Sequence, residues 1–257
     1  LLQLYKIISK KIYCPQAIYF KTSRRIASVT SIFNENDIIK SFDKHRYYGT
    51  FKNLLNIRFG IKIDNKDKNK NKIINSVKKI KELKTLLKKY NTQILYRATI
   101  ERKYYKRYLN KIIGSKKSNI AISDIGYYGS IQISLNKILK NKNIHGYYLY
   151  ISPDTHPLIK NKKFGFYKYK KSNFYDTFFI FESLFTAPHG TYLYCNKNMK
   201  FSTSKKFNNQ KNFFNKRIFI KGIEKYIKDL MKIIPDELDL EVNDNLSDNI
   251  YGLIKSR

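Results

Sequence analysis

The residues best placed to do chemistry form one short run, Asp124-Ile125-Gly126-Tyr127-Tyr128-Gly129-Ser130, with Gln132 just beyond it. An apolar stretch, Asn119–Ser123, precedes the run, and an amphipathic one, Ile131–Lys140, follows it. The run therefore reads as a loop between a strand and a helix. Such a loop gathers backbone N–H groups and the positive end of a helix dipole at one point, which suits an anion. Gly126 and Gly129 admit positive φ and let a ligand approach the main chain, while Ser130 and Gln132 add side-chain donors. Asp124 sits at the strand end, where a carboxylate accepts sugar hydroxyls or holds a cation such as Mg2+. The pattern lacks the third glycine of a dinucleotide fingerprint and the lysine of a P-loop. On residues alone, an anion site and a tight turn both remain open.

Other chemistry-bearing residues are scattered. Glu182 precedes a Pro188-His189-Gly190 turn; the two side chains read either as an acid/base pair beside the loop or as an ion-paired carboxylate and a turn histidine. Arg24 and Arg25 fall in the first turn of an expected helix capped by Thr22 or Ser23, with Ile26, Val29 and Phe33 at helical spacing. Basic residues there oppose the helix dipole, a conflict that a nearby anion relieves. His145 and His156 flank a strand without the spacing of metal ligands. Asp239 and Glu241 belong to an acidic tail. No metal site is expected from these residues.

The elements that must position the loop are legible around it. Gly146 precedes an apolar run, Tyr147–Ile151, so strand, loop, helix and strand make a βαβ unit and imply a parallel pair. The ligand site of such a sheet lies beyond the carboxyl ends of its strands. The periodicity predicts further helices over Val77–Tyr90, Thr92–Ile113 and Arg217–Ile234, and another strand over Thr177–Phe181. Asp64–Asn75 reads as a solvated polar loop. The expected fold class is α/β, a parallel-sheet Rossmann-like core with additional helices. Its expected divisions are an N-terminal linker and helical region (1–75), an α/β domain with the glycine loop (76–235) and an acidic tail (236–257).

Composition narrows the classes. Apolar residues make up 42% of the 257 and aromatic residues 15%, which excludes a disordered chain. The formal net charge is +33, yet arginine occurs at only nine positions. The excess is lysine, and it travels with Asn, Ile, Tyr and Phe, the residues that AT-rich codons favour. The charge attracts anionic ligands, anionic lipid and, non-specifically, nucleic acid, without choosing among them. Tyr104–Tyr108 and Phe164–Lys171 interleave rings with lysines and so carry the alternative reading, a basic nucleic-acid-binding module without catalysis. Two cysteines, Cys14 and Cys195, point to free thiols in a reducing compartment, and no stretch reaches the about 18 apolar residues of a membrane span. A cytoplasmic location is expected, with the Arg217–Ile234 helix available to an anionic membrane surface. The chain begins at Leu1 and reads as the cut edge of a longer polypeptide.

The runs YFKTSRRIASVTSIF, YGTFKNLLNIRFGI, ERKYYKRYLNKIIG, NIAISDIGYYGSIQISLNKIL and FESLFTAPHGTYLYC, with the helix near KGIEKYIKDL, resemble in their order one bacterial family. It is the C-terminal region of HAD-hydrolase-like proteins from surface-polysaccharide gene clusters. The resemblance spans most of residues 15–235; its loop usually carries Trp where this chain has Tyr127. It implies an upstream HAD-like domain in the same polypeptide, but the Asp-x-Asp nucleophile of that domain occurs nowhere in this chain. The loop is also similar to the phosphate-binding loop of type I phosphoribosyltransferases, although Ser123 stands where their second acidic residue would be. The resemblance thus implies a glycosyltransferase-like, phosphoribosyl-transferring module of capsule or lipopolysaccharide biosynthesis. Its partners would be a sugar-phosphate or nucleotide-sugar donor and a glycan acceptor. Gly126, Tyr127, Gly129, Ser130 and Gln132 would bind the donor with Arg24 and Arg25, and Asp124, Glu182 and His189 would be catalytic.

Overall fold

Ser23 opens the first helix in the manner its sequence predicts. Its backbone is extended, and its hydroxyl accepts the Ile26 N–H at 3.1 Å at the start of α1 (Arg24–Thr30). The structure, a computed structural model, describes residues 20–42, 47–76, 80–114, 119–152, 156–167, 187–206 and 213–233. Glu182, the strand expected over Thr177–Phe181, Cys14 and the acidic tail lie outside the described residues.

Asn34 caps α2 (Glu35–Lys40) by accepting the Asp37 N–H. β1 (Tyr48–Thr50) runs directly into α3 (Phe51–Leu54). That helix continues as a π-helical turn, Leu55–Phe59, and stops at left-handed Gly60. β2 (Ile73–Asn75) pairs antiparallel with β1. α4 (Ile80–Lys88) and α5 (Asn91–Ile113) follow, close to the spans that the periodicity predicts. The polar run Asp64–Asn75 is less solvated than its composition suggests. Ile73 and Ile74 close it as a strand, and Asp67 is buried, accepting from Lys89 Nζ at 2.8 Å, from the Tyr90 hydroxyl and from the Asn69 N–H at 2.8 Å.

The sheet that carries the loop is parallel throughout. β3 (Asn119–Tyr127), α6 (Ser130–Ile138) and β4 (Asn143–Ile151) form the expected βαβ unit. A 3-10 turn, Pro157–Ile159, then leads to β5 (Lys163–Tyr167), so the strand order is β3-β4-β5. β6 (Tyr192–Cys195) and β7 (Phe201–Thr203) form an antiparallel pair, and α7 (Phe213–Ile233) closes the described chain. The architecture is mixed α/β: a three-stranded parallel sheet with extra helices. β3 is longer than its apolar run, because pairing with β4 continues past Ser123 to Tyr127 opposite Ile151.

Two cores meet along α5. The first gathers Val29, Ile38, Phe51, Leu54, Leu83 and Ile94, and so takes residues from both sides of position 75. The second gathers Ile26, Tyr105, Leu109, Ile122, Leu135 and Ile144. Ile94 and Ala98 of α5 face the first core, whereas Tyr105 and Leu109 face the second. Between them lies Glu101, only 3% exposed, whose carboxylate takes a two-pronged contact from Arg25 and a bond from Arg97 Nε at 2.6 Å. Arg25 also donates to the Leu193 carbonyl, which ties β6 to the same point.

Removing one member of a buried ion pair strands the others in low dielectric, at a typical cost of about 3–5 kcal/mol. Glu101→Ala is therefore expected to lose about that much stability in urea denaturation. Asp67 gives a second expectation. The hydrogen bonds from Lys89, Tyr90 and the Asn69 N–H hold its carboxyl well below the ordinary value. A depressed carboxyl contributes stability above its unfolded pKa of about 4, and that contribution drains away as pH falls toward the folded value. Melting curves from pH 7 downward should show Asp67→Asn losing less stability than the parent chain below about pH 4.

Candidate functional site

The loop is built from the sheet outward. Gly126 lies within β3, not beyond it, at φ 133°. A Cβ there would fall 1.7 Å from the Tyr150 carbonyl oxygen of β4, so the close approach that demands glycine is made by the neighbouring strand. Gly129 is the residue that turns the chain. It is buried, left-handed at φ 62°, and caps α6 without any side-chain cap. Its missing Cβ makes room for Ile159 Cδ1, which would be 2.5 Å away, and for the Tyr148 hydroxyl at 3.1 Å.

Gln132 holds this arrangement in place. It is completely buried, and its amide donates to the Ile144 carbonyl at 2.9 Å and the Lys162 carbonyl at 2.7 Å. Its oxygen accepts the Tyr148 hydroxyl at 2.7 Å. Both amide hydrogens are thereby spent on protein, so the donor role expected from the sequence gives way to a framework role for this side chain. It joins α6 to β4 and to the residue that precedes β5.

Tyr148 is the residue that sequence reasoning missed. It stands opposite Asp124 in the β3–β4 register and is 3% exposed. Burial, reinforced by the negative charge of Asp124, pushes its phenol well above the ordinary tyrosine value, so the hydroxyl stays a donor. The signal was present in the alternation of Tyr147–Ile151, which puts Tyr148 and Tyr150 on the buried face and leaves Tyr147 half-exposed. Asp124 is half-buried on β3, Ser130 is half-exposed at the first helical position, and Tyr127 is the last residue of β3.

The remaining predicted residues sit on other elements. Arg25 is committed to Glu101 and Leu193, whereas Arg24 beside it is exposed. His189 donates from Nδ1 to its neighbour's carbonyl, Gly190 O, at 2.8 Å and packs its ring 4.4 Å from that of Tyr192. Ser23 donates to the Tyr192 carbonyl, so His189 belongs with the start of α1. His156 caps the 3-10 turn, accepting from the Leu158 N–H at 3.2 Å. His145 stacks on Phe164. Among the described residues, no group of three or more His, Cys, Asp or Glu side chains is arranged to hold a metal ion, and no helix is long and apolar enough to cross a membrane.

No protein-family profile matches this chain, and no curated protein matches it either. The site is therefore read from its own geometry. An expected outcome follows for its framework. Gln132→Leu keeps the volume but leaves two carbonyls and a buried hydroxyl without this partner, so it should cost about 3 kcal/mol in chemical denaturation. A loss under about 1 kcal/mol would mean that water replaces the amide.

Proposed function

We propose that this chain is a glycosyltransferase-like module on a Rossmann-like core, holding a sugar-phosphate or nucleotide-sugar donor beyond the carboxyl end of β3. The observation that carries the reading is the start of α6. A left-handed glycine turns the chain there, no side chain caps the helix, and Asp124 and Tyr148 lie together on the strands behind it. The first N–H groups of an α-helix have no intrahelical acceptor. Those of Ser130, Ile131 and Gln132, with the Ser130 hydroxyl, suit a donor phosphate. Asp124 accepts sugar hydroxyls and stabilises positive charge at the anomeric carbon as its bond to the leaving phosphate breaks. Were Mg2+ used, Asp124 would be the residue to hold it, and the ion would offset the charge of the donor phosphates.

The acceptor is a glycan hydroxyl. Its oxygen forms the new bond to the anomeric carbon, its proton passes to a base, and pyrophosphate or a nucleoside diphosphate departs with the electron pair. That base is His189, whose Nδ1 donates to Gly190 O and leaves Nε2 to accept; Glu182 is the alternative. A phosphoribosyl donor and a role in capsule or lipopolysaccharide synthesis, beside an upstream HAD-like domain, belong to the same reading through the family resemblance. Contact with an anionic membrane is supported by α7, where Ile218, Phe219, Tyr226 and Ile233 are exposed among lysines.

A second reading, single-stranded nucleic acid on the sheet, is favoured by one observation. Tyr147 and Phe164 project from adjacent strands with rings 5.1 Å apart and nearly parallel, each about half exposed. Exposed rings in a basic protein stack bases.

Thermal-shift titration separates the two. Under the first reading, phosphoribosyl pyrophosphate or a nucleotide sugar stabilises the chain at about 0.15 M salt, and Asp124→Asn weakens that binding at least tenfold. Gly129 is a poor probe, because any side chain there meets Ile159. Stabilisation by an oligonucleotide alone, abolished by Phe164→Ala, would replace the first reading with the second.

A further inference from the structure

Arginine is scarce in this chain, and it is not evenly spread. Six of its nine copies lie between residues 24 and 102, and two of those, Arg25 and Arg97, reach one glycine. At Gly60 a Cβ would sit 2.9 Å from Arg25 Nη2 and 3.5 Å from Arg97 Nη2. Arg58, two residues earlier on the π-helical turn, lays its guanidinium over the Phe42 ring at 5.4 Å. Burial lowers the Arg58 pKa, and the charge of Arg24 lowers it further, so Arg24 acts on the same place. Glu101 is the carboxylate bonded to Arg25 and Arg97, and it lies beneath them in the interior.

The upper side of this group faces solvent. Gly60 and Arg24 are exposed, and the Arg97 side chain is 34% exposed. The Arg97 guanidinium rests 5.1 Å over the ring of Tyr194, which is itself 36% exposed. Guanidinium groups brought to one place raise the local positive potential. Their planar forks match phosphate oxygens, which lysine does not do. Lysine is the abundant base everywhere else, so forks brought from α1, the π-helical turn and α5 mark a place where fork geometry is used. π-helical turns are also frequent at functional sites.

We propose that Arg24, Arg58 and Arg97, with Tyr194 as an aromatic ledge around Gly60, bind a phosphate-bearing small molecule, a phosphomonoester or diphosphate. Arg25 and Glu101 form the floor that aims Arg97. The site uses neither the α6 loop nor any transfer step, and it stands whether or not that loop holds a donor.

Calorimetric titration of the intact chain with pyrophosphate at constant ionic strength tests it. Saturable binding is expected at a site that Arg24→Gln weakens at least tenfold. That variant should fold, because Arg24 is exposed and its removal relieves an unfavourable charge at a helix start. Arg24→Lys should recover only part of the affinity, since it keeps the charge and loses the fork. Lys111→Gln, ~21 Å farther along α5 than Arg97, should bind as the parent does. Equal weakening by Arg24→Gln and Lys111→Gln would reduce the site to diffuse charge and overturn the proposal. So would binding lost in Asp124→Asn but retained in Arg24→Gln, or no saturable binding at all.

Discussion

A single carboxylate in the interior organises this protein. Glu101 stands midway along α5, at the point where one apolar core ends and the other begins. An ionised group can stay there only if positive donors meet it. Arg25 supplies two contacts and Arg97 one, so α1 is pinned across α5, and β6 is drawn in through the Leu193 carbonyl. Once α1 is fixed, α6 has its seat, because the Ser134 hydroxyl donates to the Ala27 carbonyl at 2.8 Å. The N-terminus of α6 is the candidate donor site, so its position traces back to Glu101 through two helices. Arg102, one residue on, donates to the Thr30 and Ile32 carbonyls and holds the other end of α1.

The loop has its own frame, and that frame is made of protein-to-protein contacts. Gly126 accommodates a strand and Gly129 accommodates Ile159. Gln132 and Tyr148 spend their polar atoms on one another and on main-chain carbonyls. Such a site presents backbone amides on a rigid support, with little side-chain reorganisation needed when an anion arrives. The chain's large positive charge raises the local concentration of any anion without selecting one. Under the two proposals, selection falls to fixed geometry: the amides at the start of α6, and the guanidinium forks around Gly60.

Much of this was legible in the residues. The apolar spacing of Ile80, Leu83 and Leu87 and of Tyr105 and Leu109 announced α4 and α5, because a helix that buries one face must repeat near 3.6 residues. Ser23 announced α1 by its short side chain. The succession of apolar run, glycine loop, amphipathic run and apolar run announced the βαβ unit. Short elements were not legible: β1, β2 and β7 have three residues each, too few for a period to show. β5 was read as a lysine-rich aromatic stretch because its pairing with β4 is invisible in one strand alone.

The sequence by itself determined that the chain folds as a mixed α/β protein, which of its faces are apolar, and that a glycine-bearing segment joins the strand to the helix after it. These follow from local rules: period, capping and the steric limits on φ. Only the tertiary structure decided what the polar residues do. Arg25 and Gln132 look like ligand donors in the sequence, and each turns out to be engaged by partners 76 and 12 or more residues away. Tyr148 reads as one apolar residue among several, and packing places it beside Asp124. Arg58 and Arg97 carry no pattern in the sequence at all. A side chain's chemistry depends on who shares its burial, and burial is set by long-range packing that no local spacing encodes.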